Sequence, residues 1–186
     1  AAIMPEVLAA EDNCGGLLAL PFCDDEPGLG ISRGGTAMLF GLNETAGTPG
    51  NAVKAMLLAT IFNLKLGSEE LDRQGYPRTE IILSGGLVKT PQLGQLVADV
   101  FDTPVTISDG AEEGTAWGAA LLAKFRHEVV EGGKTGWIDF LATQRTGQSI
   151  RFKPQQISVT VLASVFERYR RLVAFHSELE SVTSSD

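Results

Sequence analysis

Hydrophobic positions along the chain fall into short unbroken runs and longer stretches that repeat every three or four residues, the mixture expected of strands interleaved with helices. The opening AAIMPEVLAAED predicts a short helix with no clear cap. Residues 17–22 read as a strand ending near Pro21, followed by the acidic loop Cys23-Asp24-Asp25-Glu26-Pro27-Gly28, a turn-rich stretch to Gly35 and a second strand over 36–40. From about residue 50 to 66 the spacing predicts a helix with Val53, Met56, Leu57, Thr60, Ile61 and Leu64 on one stripe. Leu58 and Phe62 lie on another side, so burial on two faces is expected. In the exposed segment that follows, Glu69 and Arg73 are placed to pair across one turn.

A buried-type strand is predicted at 81–83. Beyond Gly85-Gly86, Leu93, Leu96, Val97, Val100 and Phe101 recur at helical spacing. A strand at 105–107 then leads through Asp109-Gly110 into a helix over about 112–125, on which Ala116, Ala119, Ala120 and Ala123 offer a face of small side chains. A long helix over 154–177 carries Val159, Leu162, Phe166, Tyr169, Val173 and His176 as its packing stripe, with Glu167, Arg168, Arg170 and Arg171 as its solvated side. The tail, 181–186, is expected to be disordered.

The strand, Gly-Gly, helix junction is the most informative part of the pattern. Glycines at a strand end reach backbone angles barred to other residues, and without a Cβ they let a flat or charged group approach the main chain. Free N–H groups at the start of the next helix would add positive potential there. Taken alone the pair also suits a tight turn in any α/β protein. The order of elements around it is what gives it meaning.

With 186 residues, 44% of them hydrophobic, the chain can bury a sizeable core. A net charge of −8 argues against a nucleic-acid backbone or an anionic membrane as main partner, since either would call for a basic surface. Cys14 and Cys23 are the only cysteines and have no His cluster nearby to complete a zinc site, so both read as reduced thiols. Nothing resembles a signal peptide and no apolar run is long enough to span a bilayer, so a cytoplasmic location is expected; the sequon Asn43-Glu44-Thr45 is then a chance match.

Three further motifs are decoys. Gly132-Gly133-Lys134-Thr135-Gly136 ends like a P-loop, but the position that needs the first glycine is Glu128, at the end of a helix, so a loop is expected. Asp109 in Ser108-Asp109-Gly110-Ala111 reads as a helix cap, and Arg33-Gly34-Gly35-Thr36 as a hairpin turn. A dinucleotide-binding oxidoreductase fits poorly: no G-x-G-x-x-G follows a first strand, and no acidic residue about twenty positions on ends a second one in the expected way.

Several segments together resemble one family. SGGLVKTPQLGQLVADVFDTPV is similar to "GGGARSPLWRQMLADVLGRPV", EEGTAWGAALLAKF to "EASALGAALLA", and MLFGLNETAGTPGNAVKAMLLAT to "FFGLTLSHTRAHLYRAVLEGVA". These are stretches of the C-terminal domain of the FGGY carbohydrate kinases, in particular the xylulokinase-like enzymes. A strand ending in Leu-Pro at 20–21 and FKPQ followed by FERYRRL extend the likeness over about 15–177.

The resemblance implies an α/β fold: an actin-like ATPase (ribonuclease H-like) domain with a mixed sheet flanked by helices and a long C-terminal helix. It divides the chain into a lead-in over 1–14, which reads as a cut end, the ATP-binding domain over 15–180 and the tail over 181–186. By position, Gly85, Gly86 and Leu87 would line the adenosine end of ATP, with Thr90 offering a polar side chain to the purine. The family's Asp-x-Gly-Thr motif and catalytic Asp belong to an N-terminal domain and do not appear here. Mg²⁺ is therefore expected to be held mainly by that domain, and no catalytic or metal residue is assigned to this chain. The implied partners are the N-terminal sugar-binding domain, ATP or ADP, and a small sugar, a keto-pentose such as xylulose. Leu93, Gly94, Leu58-Ala59 and Asp25-Glu26-Pro27 depart from the family pattern. The departures leave open an alternative, a non-catalytic interaction or regulatory module on the same fold.

Overall fold

The computed structural model describes residues 2–144 and 147–176. The expected tail at 181–186 and the last residue of the expected terminal helix lie outside them. The described residues form two compact units, one from 2–79, 99–103 and 154–176, the other from 80–98, 104–144 and 147–153.

In the first unit, α1 (Met4–Ala9) packs on α2 (Pro49–Arg73), and β1 (Leu18–Leu20) pairs antiparallel with β2 (Met38–Phe40) from Leu18↔Phe40 to Leu20↔Met38. Both strands are shorter than the pattern suggests, because Pro21 has no N–H to donate. The chain still returns on itself: Thr36 N–H donates to the Phe22 carbonyl at 3.0 Å and Gly35 N–H to that of Cys23 at 2.8 Å, so Gly35 and Thr36 lie on the returning arm of the loop and not at a tight hairpin turn.

Helix α2 starts where expected, with the Thr48 hydroxyl accepting from Asn51 N–H and Pro49 in the first turn. It runs past the expected end. Its stop is Gly75 at φ 90°, where Tyr76 N–H donates to the Leu71 carbonyl and Gly75 N–H to that of Asp72, a Schellman closure. The expected two-faced burial is not found. Ala55, Leu58, Ala59, Ile61 and Phe62 are buried, whereas Val53, Thr60 and Leu64 are exposed. The reason is that β1 and α6 (Gln156–Ala174) both pack on the side bearing Leu58 and Phe62, where Leu17, Ala19, Val165 and Tyr169 meet it. The Glu69 and Arg73 pair is likewise replaced: Glu69 meets Arg170 at 2.7 Å and Arg73 meets Glu70 at 2.7 Å.

Helix α6 follows its predicted stripe. Leu162, Phe166 and Tyr169 are buried, and Phe62 lies 5.2 Å and 5.4 Å, centroid to centroid, from the rings of Phe166 and Tyr169. His176, also buried, shares a 2.6 Å hydrogen bond with the Thr36 hydroxyl. Both cysteines are free thiols, Cys14 buried and Cys23 exposed.

In the second unit, β3 (Ile81–Ile82) and β4 (Val105–Ser108) run parallel, joined through α3 (Leu93–Phe101). Strand β5 (Ser149–Phe152) pairs antiparallel with β4 from Val105↔Phe152 to Ser108↔Ser149. Two expectations change here, at β3 and in the stretch 137–152. Strand β3 is a sheet edge rather than a buried run, with Ile82 73% exposed. Helix α4 (Gly114–Val130) leaves Ala116, Ala119, Ala120 and Ala123 exposed and has no buried residue. Helix α5 (Trp137–Gln144) and β5 occupy a stretch for which the pattern predicts no element. Trp137 and Phe140 of α5 form a ring cluster with Phe125 at 5.0–5.6 Å. The P-loop decoy is a loop, and its first two glycines end α4: Gly132 has φ 88°, with Gly132 N–H donating to Val129 and Gly133 N–H to Glu128.

Candidate nucleotide site

The turn after β3 is built from two glycines with different jobs. Leu83 N–H extends the parallel ladder by donating to Thr106, and the chain then reverses at Gly85, whose φ of 83° and ψ of −152° are open essentially to glycine alone. Gly85 N–H donates to the Ala111 carbonyl at 2.8 Å. Gly86 begins a 3₁₀ turn, Gly86–Lys89, in which Val88 N–H returns to Gly85 and Thr90 N–H to Leu87. The α3 N-terminus therefore does not follow the glycines directly, as the spacing suggests; Thr90 links the two by accepting from Leu93 N–H at 2.9 Å. Gly85, Gly86, Leu87 and Thr90 thus share one turn. A Cβ built on Gly85 or Gly86 would meet nothing within 4 Å, so the surface over the glycines is open. Gly114, the first residue of α4, lets that helix start against Ser84, whose Cβ would lie 3.1 Å from an added methyl.

Beside the turn is a cleft of about 550 Å³ between Val88, the end of β4 with the residues after it (Ile107 to Glu112), and Gly147, Gln148 and Ile150. Asp109 does not cap a helix: α4 has Glu113 at its N-cap position and no side-chain cap bond. Instead Asp109 N–H donates to the Gln148 carbonyl at 3.0 Å, and its side chain lies so close to Gly147 that a Cβ there would stand 2.7 Å from it. Asp109 also follows directly on the strand parallel to β3, so an acidic residue does end the second strand of this βαβ unit; the G-x-G-x-x-G fingerprint is still absent. Val88, Asp109 and the 147–150 segment were not legible as site residues, because only the parallel pairing of β3 and β4 and the β5 hairpin bring them together.

Some departures from the family pattern have a packing cause. Gly94 is set by Phe152, whose ring carbons lie 2.5 and 2.6 Å from where its Cβ would stand. Leu93, Leu58 and Ala59 are core residues. Asp25 is engaged within its own loop, accepting from Gly34 N–H at 2.7 Å.

Residues 6–126 match the C-terminal domain of the FGGY family of carbohydrate kinases. The chain is 24% identical over 168 residues to a ribulokinase of Bacillus licheniformis, covering 90% of this chain and 30% of that protein. It is 30% identical over 127 residues to a ribulokinase of Mycolicibacterium smegmatis, covering 68% and 20%. Its fold is similar to that of a ligand-bound xylulose kinase from Lactobacillus acidophilus, with a TM-score of 0.75 at 18% identity, covering 97% of this chain and 36% of that one. The chain thus spans less than a third of the length of these ribulokinases. A β-turn-α-β unit with an open glycine turn, on an actin-like ATPase fold and within a stretch matched by the family's own model, places the chain in the FGGY family of carbohydrate kinases, as its C-terminal domain.

Proposed function

We propose that the chain supplies the nucleotide-binding surface of an ATP-dependent kinase that transfers the γ-phosphoryl group to a hydroxyl of a small sugar, a keto-pentose such as xylulose or ribulose. The observation that carries the reading is the open, side-chain-free surface of Gly85 and Gly86 at the carboxyl end of β3. There the purine of ATP would rest on backbone, with Leu87 beside it and the Thr90 hydroxyl free of charge one turn on. The names of the relatives, ribulokinase and xylulose kinase, support a keto-pentose.

Phosphoryl transfer is mostly positioning and charge neutralisation, and it needs donors to the phosphates, a Mg²⁺-holding carboxylate and an acceptor-side base. Among the described residues no three His, Cys, Asp or Glu side chains come together to hold a metal. We assign those parts to a sugar-binding domain in the remainder of the kinase. No helix among the described residues is long and apolar enough to cross a membrane, and a cytoplasmic enzyme drawing on the ATP pool fits the reading.

The test is titration of the purified chain with ATP, ADP and NAD, alone and with a sugar-binding half from a family member. ATP and ADP binding, with phosphoryl transfer to xylulose or ribulose only in the joined protein, is the expected result. NAD binding without ATP binding would refute it.

A further inference from the structure

The cleft beside the glycine turn carries a chemical bias of its own. Ala111, which borders it, is the acceptor for Gly85 N–H, and Val88 belongs to the 3₁₀ turn, so cleft and turn form one continuous surface. The cleft opens at the carboxyl end of β4, the parallel partner of β3, and open α/β sheets take their ligands at such strand ends. Val88, Ile107 and Ile150 give it apolar walls suited to a flat ring. The carboxylates of Asp109 and Glu112 are exposed at its edge and would repel a phosphate. A carboxylate accepts hydrogen bonds and cannot donate them, so it matches a base edge that presents an amino group and opposes one that presents a carbonyl.

We infer that Asp109 is a specificity-determining residue that reads the base of the nucleotide and favours a 6-amino purine over a 6-oxo purine. The inference rests on the nucleotide reading of Gly85 and Gly86. Asp109 is well placed for the role. Its main chain is tied to Gln148, and Gly147 leaves room for its carboxylate, since a Cβ on Gly147 would stand 2.7 Å from Asp109 Oδ2. The 147–150 wall lies beyond the stretch matched by the family model, residues 6–126.

The experiment is calorimetric titration of the full chain with adenosine and inosine, which differ at the 6-position and carry no phosphate, for the wild type, Asp109→Asn, Asp109→Ala and Gly86→Val. The wild type is expected to prefer adenosine about tenfold, the scale of one charge-assisted hydrogen bond. Asp109→Asn brings the ratio close to one, because its amide can turn an N–H toward a carbonyl, and Asp109→Ala lowers it as well; circular dichroism confirms that each variant is folded. Gly86→Val weakens both nucleosides by the same factor and keeps the ratio. An unchanged ratio in both folded Asp109 variants, with Gly86→Val still weakening binding, would overturn the role of Asp109 and leave the nucleotide site standing. Failure of the wild type to bind either nucleoside, or full binding by Gly86→Val, would overturn both.

Discussion

The ring of Phe152 on β5 occupies the space beside Gly94 on α3, 2.5 Å from the position a Cβ would take. Ile107 closes the same space at 3.1 Å. In most helices a glycine is a liability, about 1 kcal/mol worse than alanine. Here the close approach decides the residue. Gly94→Ala is expected to destabilise by about 1–3 kcal/mol through overpacking, and Phe152→Ala in the same chain to remove that penalty. A double-mutant cycle by urea unfolding measures the coupling.

The two glycines of the turn should separate under mutation. Gly85 sits at φ 83°, so Gly85→Ala is expected to cost about 1–3 kcal/mol of stability. Gly86→Val meets open space, and a change within about 0.5 kcal/mol is expected, with nucleotide binding clearly weakened. Thermal unfolding and nucleotide titration of the two variants give the comparison.

Burial pushes the Cys14 thiol up from 9.0 to about 11; nearby Lys54 pulls it down and Asp12 adds to the rise. A group whose pKa is raised on folding contributes stability that is full below its unfolded value and lost as pH climbs through the folded one. Between about pH 9 and 11 the wild type is expected to lose about 2–3 kcal/mol more than Cys14→Ala, as read by urea unfolding at stepped pH. At pH 8 an alkylating reagent should modify exposed Cys23 well before Cys14.

Lys54 is nearly enclosed, and its ammonium donates to the Ala10 carbonyl at 2.7 Å and to Asp12 at 3.1 Å, fastening the residues after α1 to α2. Lys54→Met keeps the packing stem and removes both bonds. A loss of about 1–3 kcal/mol is expected in chemical denaturation, with earlier proteolysis near Ala10.

Long periodic elements were the legible ones. The stripe of Leu162, Phe166 and Tyr169 on α6 needs only its spacing to be read, and Gly85-Gly86 announces a turn after a strand whatever surrounds it. In α2 apolar residues stand on several sides, and only the arrival of β1 and α6 on the Leu58 and Phe62 side decides which are buried. Ile82 reads as buried from its apolar run and the alanines of α4 as a face of small side chains, yet all of them are exposed among the described residues. β5 is four residues long, with Ser149 and Arg151 alternating with Ile150 and Phe152, too brief to stand out before its pairing with β4 is known. The cleft was illegible for the same reason, since one wall comes from that hairpin.

The family match stops at residue 126, well before β5. Trimming the protein to that border would strip β4 of its antiparallel neighbour and leave the backbone groups of Val105–Ser108 bare on that side. Bare strand edges recruit other chains, so a fragment cut there should self-associate, and its failure to remain monomeric would say nothing about ATP.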